Sequence, residues 1–544
     1  MLKKLWGNDV MVLSGEEYAA LESIVGSKNI SNDPVILDSY NWLGGAFRPV
    51  RPEAVLLPQS AEEVQAIIKT CNRYSIKVKC HSTGWSGPAM VAAPRTILLD
   101  LRRMNRIIEI NKDAMYAVVE PYVVAAELQA EAMKRGLTCH LIGAGGSCSV
   151  IASTACYHGE SPSGIFMGHG SENLLAAEWV MPNGEIVRTG SLGTGCGWFC
   201  GEGPGPSVRG IIRGMWGAHG AFGVITKIGI KLHPWPGPER LEVKRTLPIY
   251  RAKIPENVDA HTVAFPSFNE MADAAYKIWD AKIGYILHRQ FNFFGEDLQA
   301  AILKILLDQN KTICDLENVL KDPEVKNLTE KMRKSFQIVL VGNSKKHLEW
   351  QEKALRTILN ETGGRIVEEC EDPAVKELTF MWLFRLCYKN WNFYAGGYLN
   401  GYAAYGSPYG VLPLFHRSIE HKKELIEQGL VVDDGGDALM GTLSLRGGGG
   451  VIYFENFCLF DLADPESKKA GTMYRIVSGE VLRKLRYVGN FGGPSEAYFY
   501  DEKEKRNAII KESTHPDAFR WQAKFKKVFD PNNVAADEYL TLEE

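Results

Sequence analysis

The chain has 544 residues, 45% of them hydrophobic and 23% charged, with a formal net charge of -3. That length allows two or three domains with ample core, and the near-neutral balance excludes an electrostatic case for nucleic acid or anionic lipid. No apolar run is long enough to span a bilayer, and eleven cysteines without a C-x-x-C pair or secretory signal exclude a self-contained zinc or iron–sulfur module and point to a reducing, cytoplasmic location.

Residues 1–50 hold one amphipathic helix, Gly15–Val25, and read as an extension packed on a larger body. Ala54–Pro58 is a short buried strand, and Ser60 with Glu63 forms a capping box for a helix that puts Val64, Ile67, Ile68 and Cys71 on one face. The next strand, Ile76–Cys80, breaks into HSTGWSGPA (81–89). Gly84 and Gly87 let this segment turn sharply, and successive N–H groups in such a turn can converge on an anion such as a pyrophosphate; a plain tight turn between strands fits the same residues. Strands Thr96–Leu101, Ile107–Ile110 and Tyr116–Glu120 follow, then a helix Val124–Arg135 ended by Gly136. The pattern is α+β, and no G-x-G-x-x-G follows a strand, which disfavours a dinucleotide-binding Rossmann unit.

Glycines concentrate between 143 and 229, which implies close approach of backbone to a ligand there. In IGAGGSCSVIASTACYHG (142–159), Ser147, Ser149, Ser153 and Thr154 offer hydrogen bonds without bulk. Ala176–Met181 and Glu185–Arg188 form a hairpin through Pro182-Asn183-Gly184. Gly220–Leu232 alternates as a half-buried strand, and Pro234 and Pro236 close the unit. Beyond it come helices (Leu298–Leu307, Lys346–Asn360, Ile419–Gln428) and strands (Gln337–Val341, Gly441–Leu445, Val451–Phe460) of a second domain.

Four segments occur in a telling order: ILLDLRRMNRIIEINKDAMYAVVEP (97–121), SENLLAAEWVMPNGEIVRTG (171–190), GEGPGPSVRGIIRGMWGAHGAFGVITKIGIKLHP (201–234) and FDPNNV (529–534). Together they resemble the FAD-binding domain of the vanillyl-alcohol oxidase/p-cresol methylhydroxylase (PCMH) superfamily, over roughly 50–236 and 490–544. The resemblance implies an α+β protein: an N-terminal extension (1–50), a PCMH-type FAD-binding domain of two α/β subdomains (51–236), an α+β cap over the flavin (237–490) and a C-terminal segment returning to the FAD domain (491–544). It further implies that the pyrophosphate lies on Cys80, His81, Ser82, Thr83, Gly84, Trp85 and Ser86. The flavin and ribityl chain would run along Gly146, Ser147, Val150, Ser153 and His158, with backbone bonds from Gly223, Val224 and Ile225.

The sequence departs from the phenol-oxidising members. Trp85 stands where they carry a tyrosine, and an indole has one donor only. Their aspartate near the flavin is replaced around Cys156, with no carboxylate before Glu160, and SEAYFYDE offers Tyr498 and Tyr500 without their arginine. IGAGGSCSV (142–150) also resembles the FAD-dependent 2-hydroxy-acid dehydrogenases, yet RGGGGVIYFEN (446–456) lacks their metal-binding G-D-G-N-x-H, so no metal is expected. Candidate acid/base groups are His416, just ahead of a helix, together with Tyr453, Glu455, Tyr498 and Tyr500, with His421, Tyr402 and Tyr405 nearby in sequence. His416 reads more readily as a surface or helix-capping histidine, whereas Tyr453 and Glu455 share one strand face by two-residue alternation. FAD is expected to be non-covalent, Tyr402, Tyr405 and His81 being the attachment alternatives.

These features imply an FAD-dependent dehydrogenase taking hydride from an alcohol, hydroxy acid or activated C–H of a small organic substrate. Electrons would pass to a cytochrome, an electron-transfer flavoprotein or an iron–sulfur subunit, in a homo- or hetero-oligomer. The alternatives are an oxidase using O2 and a non-catalytic flavin-binding or scaffolding subunit.

Overall fold

A computed structural model describes residues 13–40, 50–84, 91, 93–143, 145–156, 159, 161–203, 207, 209–212, 220–244, 250–291, 296–309, 316–385, 396–433, 439–444, 451–489, 503–512 and 516–536. The first sheet has the strand order Ile30–Ser31, Val55–Leu56, Thr96–Asp100, Lys77–His81. Val55–Leu56 and Lys77–His81 both run parallel to Thr96–Asp100. The helix Ala61–Tyr74 makes the crossover that parallel strands require, burying Val64, Ile67, Ile68 and Cys71 on the sheet. Ser60 caps it by accepting from the Glu63 N–H, but Glu63 returns its carboxylate to the Gln59 N–H rather than to Ser60, so the expected box is shifted by one residue. The strand expected over 54–58 is reduced to two residues.

FDPNNV has a physical role here. The Asp530 carboxylate accepts from the N–H groups of Val534 (2.7 Å) and Ala535 (2.8 Å) and pairs with buried Lys526, whose ammonium also donates to Ala221 O at 2.8 Å. The chain therefore reverses and lies along Val78, whose N–H donates to Val534 O and whose carbonyl accepts from Ala536. The C-terminal return thus extends the first sheet beyond Lys77–His81.

The second sheet is antiparallel, in the order Ile107–Asn111, Tyr116–Val119, Val224–Lys231, Leu174–Val180, Ile186–Arg188. The strand expected from Gly220 begins at Val224, because Gly220 and Gly223 have φ +84° and +109° and form a turn. A methyl group on Gly223 would lie 2.3 Å from Val180 O, so only glycine fits.

The remaining segment builds an eight-stranded antiparallel sheet: Arg365–Ile366, Val258–Ala264, Ser335–Val341, Ile286–Phe291, Leu439–Ser444, Val451–Asp461, Gly396–Gly406, Val488–Gly489. One face packs beneath helices Phe268–Asp280, Lys345–Thr362, Leu412–Glu427 and Pro465–Lys484 through Leu287, Ile338, Leu340, Phe454 and Phe460. The other meets the FAD-like part: Val258, Ala260, Ile286, Val339 and Val341, with Phe380 and Phe384 of the cap helix Pro373–Arg385, share a core with Met133, Leu141, Met167 and Trp235. Each large side chain buried there stabilises by about 2–3 kcal/mol. Polar links fix the docking: Leu287 N–H donates to Pro162 O (3.0 Å), Gln129 donates to Phe384 O (2.8 Å), and Arg385 donates back to Gln129 (2.6 Å).

Candidate functional site

The turn Ser82–Gly84 leaves the C-terminal ends of the parallel strands, where open α/β sheets bind their ligands. Gly84 has φ +69°, and a Cβ there would meet the His81 ring at 2.6 Å, so the imidazole lies across the turn. Thr83 Oγ accepts from the Ser149 N–H at 3.2 Å, which ties the first turn to the second glycine-rich stretch. In that stretch Ala152–Cys156 winds as a π-helical turn, a local widening frequent at functional sites. Gly146 lies against the Arg385 carbonyl, 2.6 Å from where a Cβ would be, and Ser147 is exposed. Val150 and Ser153 are buried in the supporting core.

Cys80 and Cys156 sit deep enough that burial pushes both thiols above their ordinary range, yet each keeps accessible surface. Gly220 borders Cys80, since its added Cβ would stand 3.1 Å from Cys80 Sγ. Val224 and Ile225 pair with Val180 and Trp179, while pairing with Tyr116–Val119 begins only at Ile228; among the described residues, their other edge has no strand partner. The tight turn, the small side chains and a strand edge without a partner among the described residues lie together, an arrangement that suits an extended dinucleotide. Trp85, Ser86, His158, Tyr498 and Tyr500 lie outside the described residues.

Tyr453 is 4% and Glu455 6% exposed, and both sit on the cap face that meets the FAD-like part. Tyr453 packs on Tyr405 (ring centroids 5.1 Å), which in turn packs edge-on to His169 (6.1 Å). His169 Nδ1 and Ser171 Oγ are 2.9 Å apart. Close by, neither ring nitrogen of buried His140 has a hydrogen-bond partner among the described residues, and burial together with His169 pushes its pKa down to about 4, so it is neutral near pH 7. Strand register extends the same row across the sheet: Tyr405 pairs with Tyr453, Tyr453 with Thr442, Thr442 with His288, His288 with Gln337 and Gln337 with Thr262.

His416 is not with them. It lies inside the helix Leu412–Glu427 rather than ahead of it, exposed, with its ring against Phe268 (5.7 Å) and Phe415 on the helical side of the sheet. Tyr402 and His421 also fall on that side: the phenol oxygen is 2.9 Å from His421 Nδ1, and both rings pack on Tyr474. A register shift between Asn400 and Ala403 leaves Tyr402 on the helical core and Tyr405 on the opposite face. His169, His288 and Gln337 are the site residues that sequence reasoning missed. The available signal was a polar residue inside an otherwise apolar strand, as in SFQIVLV (335–341), because buried polar groups are the informative exceptions. Among the described residues no cluster of three or more His, Cys, Asp or Glu could hold a metal.

Residues 52–190 match the family model described as an FAD binding domain. The whole chain superposes on p-cresol methylhydroxylase with substrate bound, TM-score 0.72 at 19% identity, covering 98% of this chain and 99% of that one. The fold is that of the PCMH-type flavoproteins. The 4-ethylphenol oxidase of Gulosibacter chungangensis gives TM-score 0.69, again at 19% identity and with 98% and 99% of the chains covered. In sequence, the chain is 28% identical over 248 residues to the flavoprotein subunit of 4-cresol dehydrogenase [hydroxylating] from Pseudomonas putida (41% of this chain, 44% of that protein). It is 26% identical over 228 residues to the mitochondrial D-lactate dehydrogenase [cytochrome] of Arabidopsis thaliana (41% and 34%). The match spans less than half the length of these curated relatives. The PCMH-type FAD-binding domain and the α+β class agree with the sequence expectation, and the domain match supports FAD as the cofactor. Among the described residues no helix is long and apolar enough to cross a membrane.

Proposed function

We propose that the protein is an FAD-dependent dehydrogenase. It takes hydride from an alcohol, hydroxy-acid or activated C–H carbon of a small organic molecule held between residues 161–169 and the Tyr405–Tyr453 face, and it passes electrons to a cytochrome, electron-transfer flavoprotein or iron–sulfur subunit. The observation that supports this best is the row of buried hydrogen-bonding residues Tyr405, Tyr453, His288, Gln337 and Thr262 on the cap face that meets the FAD domain, where packing alone favours apolar side chains. Bound FAD supplies the hydride acceptor. Tyr453 and Glu455 orient the substrate hydroxyl, and Glu455 takes its proton as the C–H bond breaks, so that an alcohol leaves as a carbonyl compound, two electrons poorer. Burial on both sides of the sheet keeps water from the reacting carbon.

Non-covalent FAD is the companion proposal: Tyr402 lies on the helical side of the sheet, which leaves Tyr405 and His81 as the attachment points the test must exclude. Acid precipitation tests it: flavin absorbance should pass to the supernatant, and colour in the pellet refutes it. For the chemistry, anaerobic bleaching is followed with 2-hydroxy acids, primary alcohols and 4-alkylphenols. Tyr453→Phe and Glu455→Gln should slow bleaching by roughly 10²-fold, the lower end of acid–base contributions, with FAD content unchanged. Oxygen uptake matching substrate consumption makes the protein an oxidase. Bound FAD that no member of the panel bleaches refutes the dehydrogenase.

A further inference from the structure

The N-terminal extension ends on the dinucleotide turn. Asp33 caps the helix Pro34–Ser39, accepting from the Val35 N–H at 2.8 Å, and this helix delivers Tyr40 to the end of the first sheet. Leu37 and half-buried Tyr40 pack there with Val55, Val91 and Leu98. The Tyr40 hydroxyl donates to Asp100 Oδ2 at 2.7 Å and accepts from Arg102 Nη2 at 3.0 Å. The Asp100 side chain is fully buried and also accepts from the Arg102 backbone N–H (3.0 Å) and Nε (2.8 Å). The phenol is thus fixed by two charge-assisted bonds, more than a surface tyrosine needs for packing.

What the fixed ring touches gives this arrangement a purpose. Tyr40 stands edge-on to His81 with ring centroids 5.6 Å apart and planes at 77°. Asp100 and His81 are direct partners across the parallel strands, so the anchor and its target share one register position. His81 in turn fills the space over Gly84 and leaves no room there for a side chain. Thr83, between them, is bonded to Ser149 of the flavin segment.

We propose that residues 34–40 are a clasp for the bound dinucleotide: Tyr40, locked by Asp100 and Arg102, holds His81 across Gly84 and so keeps the Ser82–Gly84 turn in the shape that takes the pyrophosphate. Tyr40 is a positioning residue, acting through His81. The proposal rests on the assignment of the 82–84 turn to FAD. Its consequence is that cofactor retention depends on a segment N-terminal to residues 52–190, which match the FAD-binding family model.

The test is FAD titration of the full-length apoprotein by flavin fluorescence, with the apoprotein's melting temperature measured alongside. Tyr40→Ala should raise the FAD Kd at least tenfold and quicken FAD release, alongside the fall in apoprotein Tm expected from losing the bond to buried Asp100. Tyr40→Phe, which keeps the ring contact, and Arg102→Gln, which loosens the anchor, should each raise Kd about two- to fivefold, and they carry the test if Tyr40→Ala does not fold. A Tyr40→Ala Kd within twofold of wild type overturns the clasp, as does a fall in apoprotein Tm with unchanged FAD affinity. Wild-type apoprotein that takes up no FAD refutes the cofactor assignment itself.

Discussion

Replacing His261 by leucine should destabilise the cap most strongly under mildly acidic conditions. His261 is 3% exposed on the strand Val258–Ala264; Nδ1 donates to Glu371 at 2.9 Å and Nε2 faces Asp259 at 3.3 Å. Lys376, on the helix Pro373–Arg385, bridges the same two carboxylates at 2.6 and 3.2 Å, and Glu352, with Arg356 beside it, faces Asp259 from the helix Lys345–Thr362. Burial pushes the imidazole pKa down, but the bonds to Asp259 and Glu371 outweigh it and leave it raised. Burial likewise works against ionisation of Asp259 and Glu371, and the bonds to His261 and Lys376 overcome it, so both carboxyls sit low.

A hydrogen bond to a charged group contributes about 1.5–3 kcal/mol. Two such bonds, with both carboxylates still partly solvated and still held by Lys376, give a loss of roughly 2–3 kcal/mol. A group with a raised folded pKa stabilises fully below its unfolded value, near 6.5, and loses that contribution as pH rises through the folded value. The depressed carboxyls stabilise above their unfolded values, near 4, and lose that contribution as pH falls. The wild-type advantage is therefore greatest between about pH 4.5 and 6.5 and shrinks toward pH 9. Thermal unfolding at pH 5.5, 7 and 9 measures it: the Tm gap should be roughly 5–10 °C at pH 5.5 and smaller at pH 9. A gap that widens with pH, or none at pH 5.5, refutes the imidazolium.

Two further substitutions probe the FAD side. Gly223→Ala forces a Cβ against Val180 O at φ +109° and should cost about 2–4 kcal/mol with loss of FAD loading, read from the absorbance ratio of purified protein. Lys526→Met leaves buried Asp530 without its cation and the Ala221 carbonyl without its donor, and should cost about 3–5 kcal/mol, exposing the C-terminal return to limited proteolysis before the cap is cut.

Local chemistry in the sequence determined much of this protein. The Ser60 cap and the apolar stripe Val64–Cys71 specify their helix, positive-φ glycines mark the turns at 84 and 223, and Asp530 carries its own reversal in FDPNNV, since each acts within a few residues. The order of four such segments was enough to reach the FAD domain. Pairings between distant strands were decided by tertiary structure alone. Which face of Val451–Asp461 turns toward the FAD-like part depends on register with Gly396–Gly406 and Leu439–Ser444, and a register shift after Asn400 places Tyr405 on that face and Tyr402 on the helical one. His416 carried the right chemistry for a proton carrier, but helix phase put it in solvent. Tyr40 reaches His81 across forty residues of chain because Asp100, on a third strand, holds its hydroxyl. A side chain's type is local, whereas its neighbours across a sheet follow from the closure of the whole core.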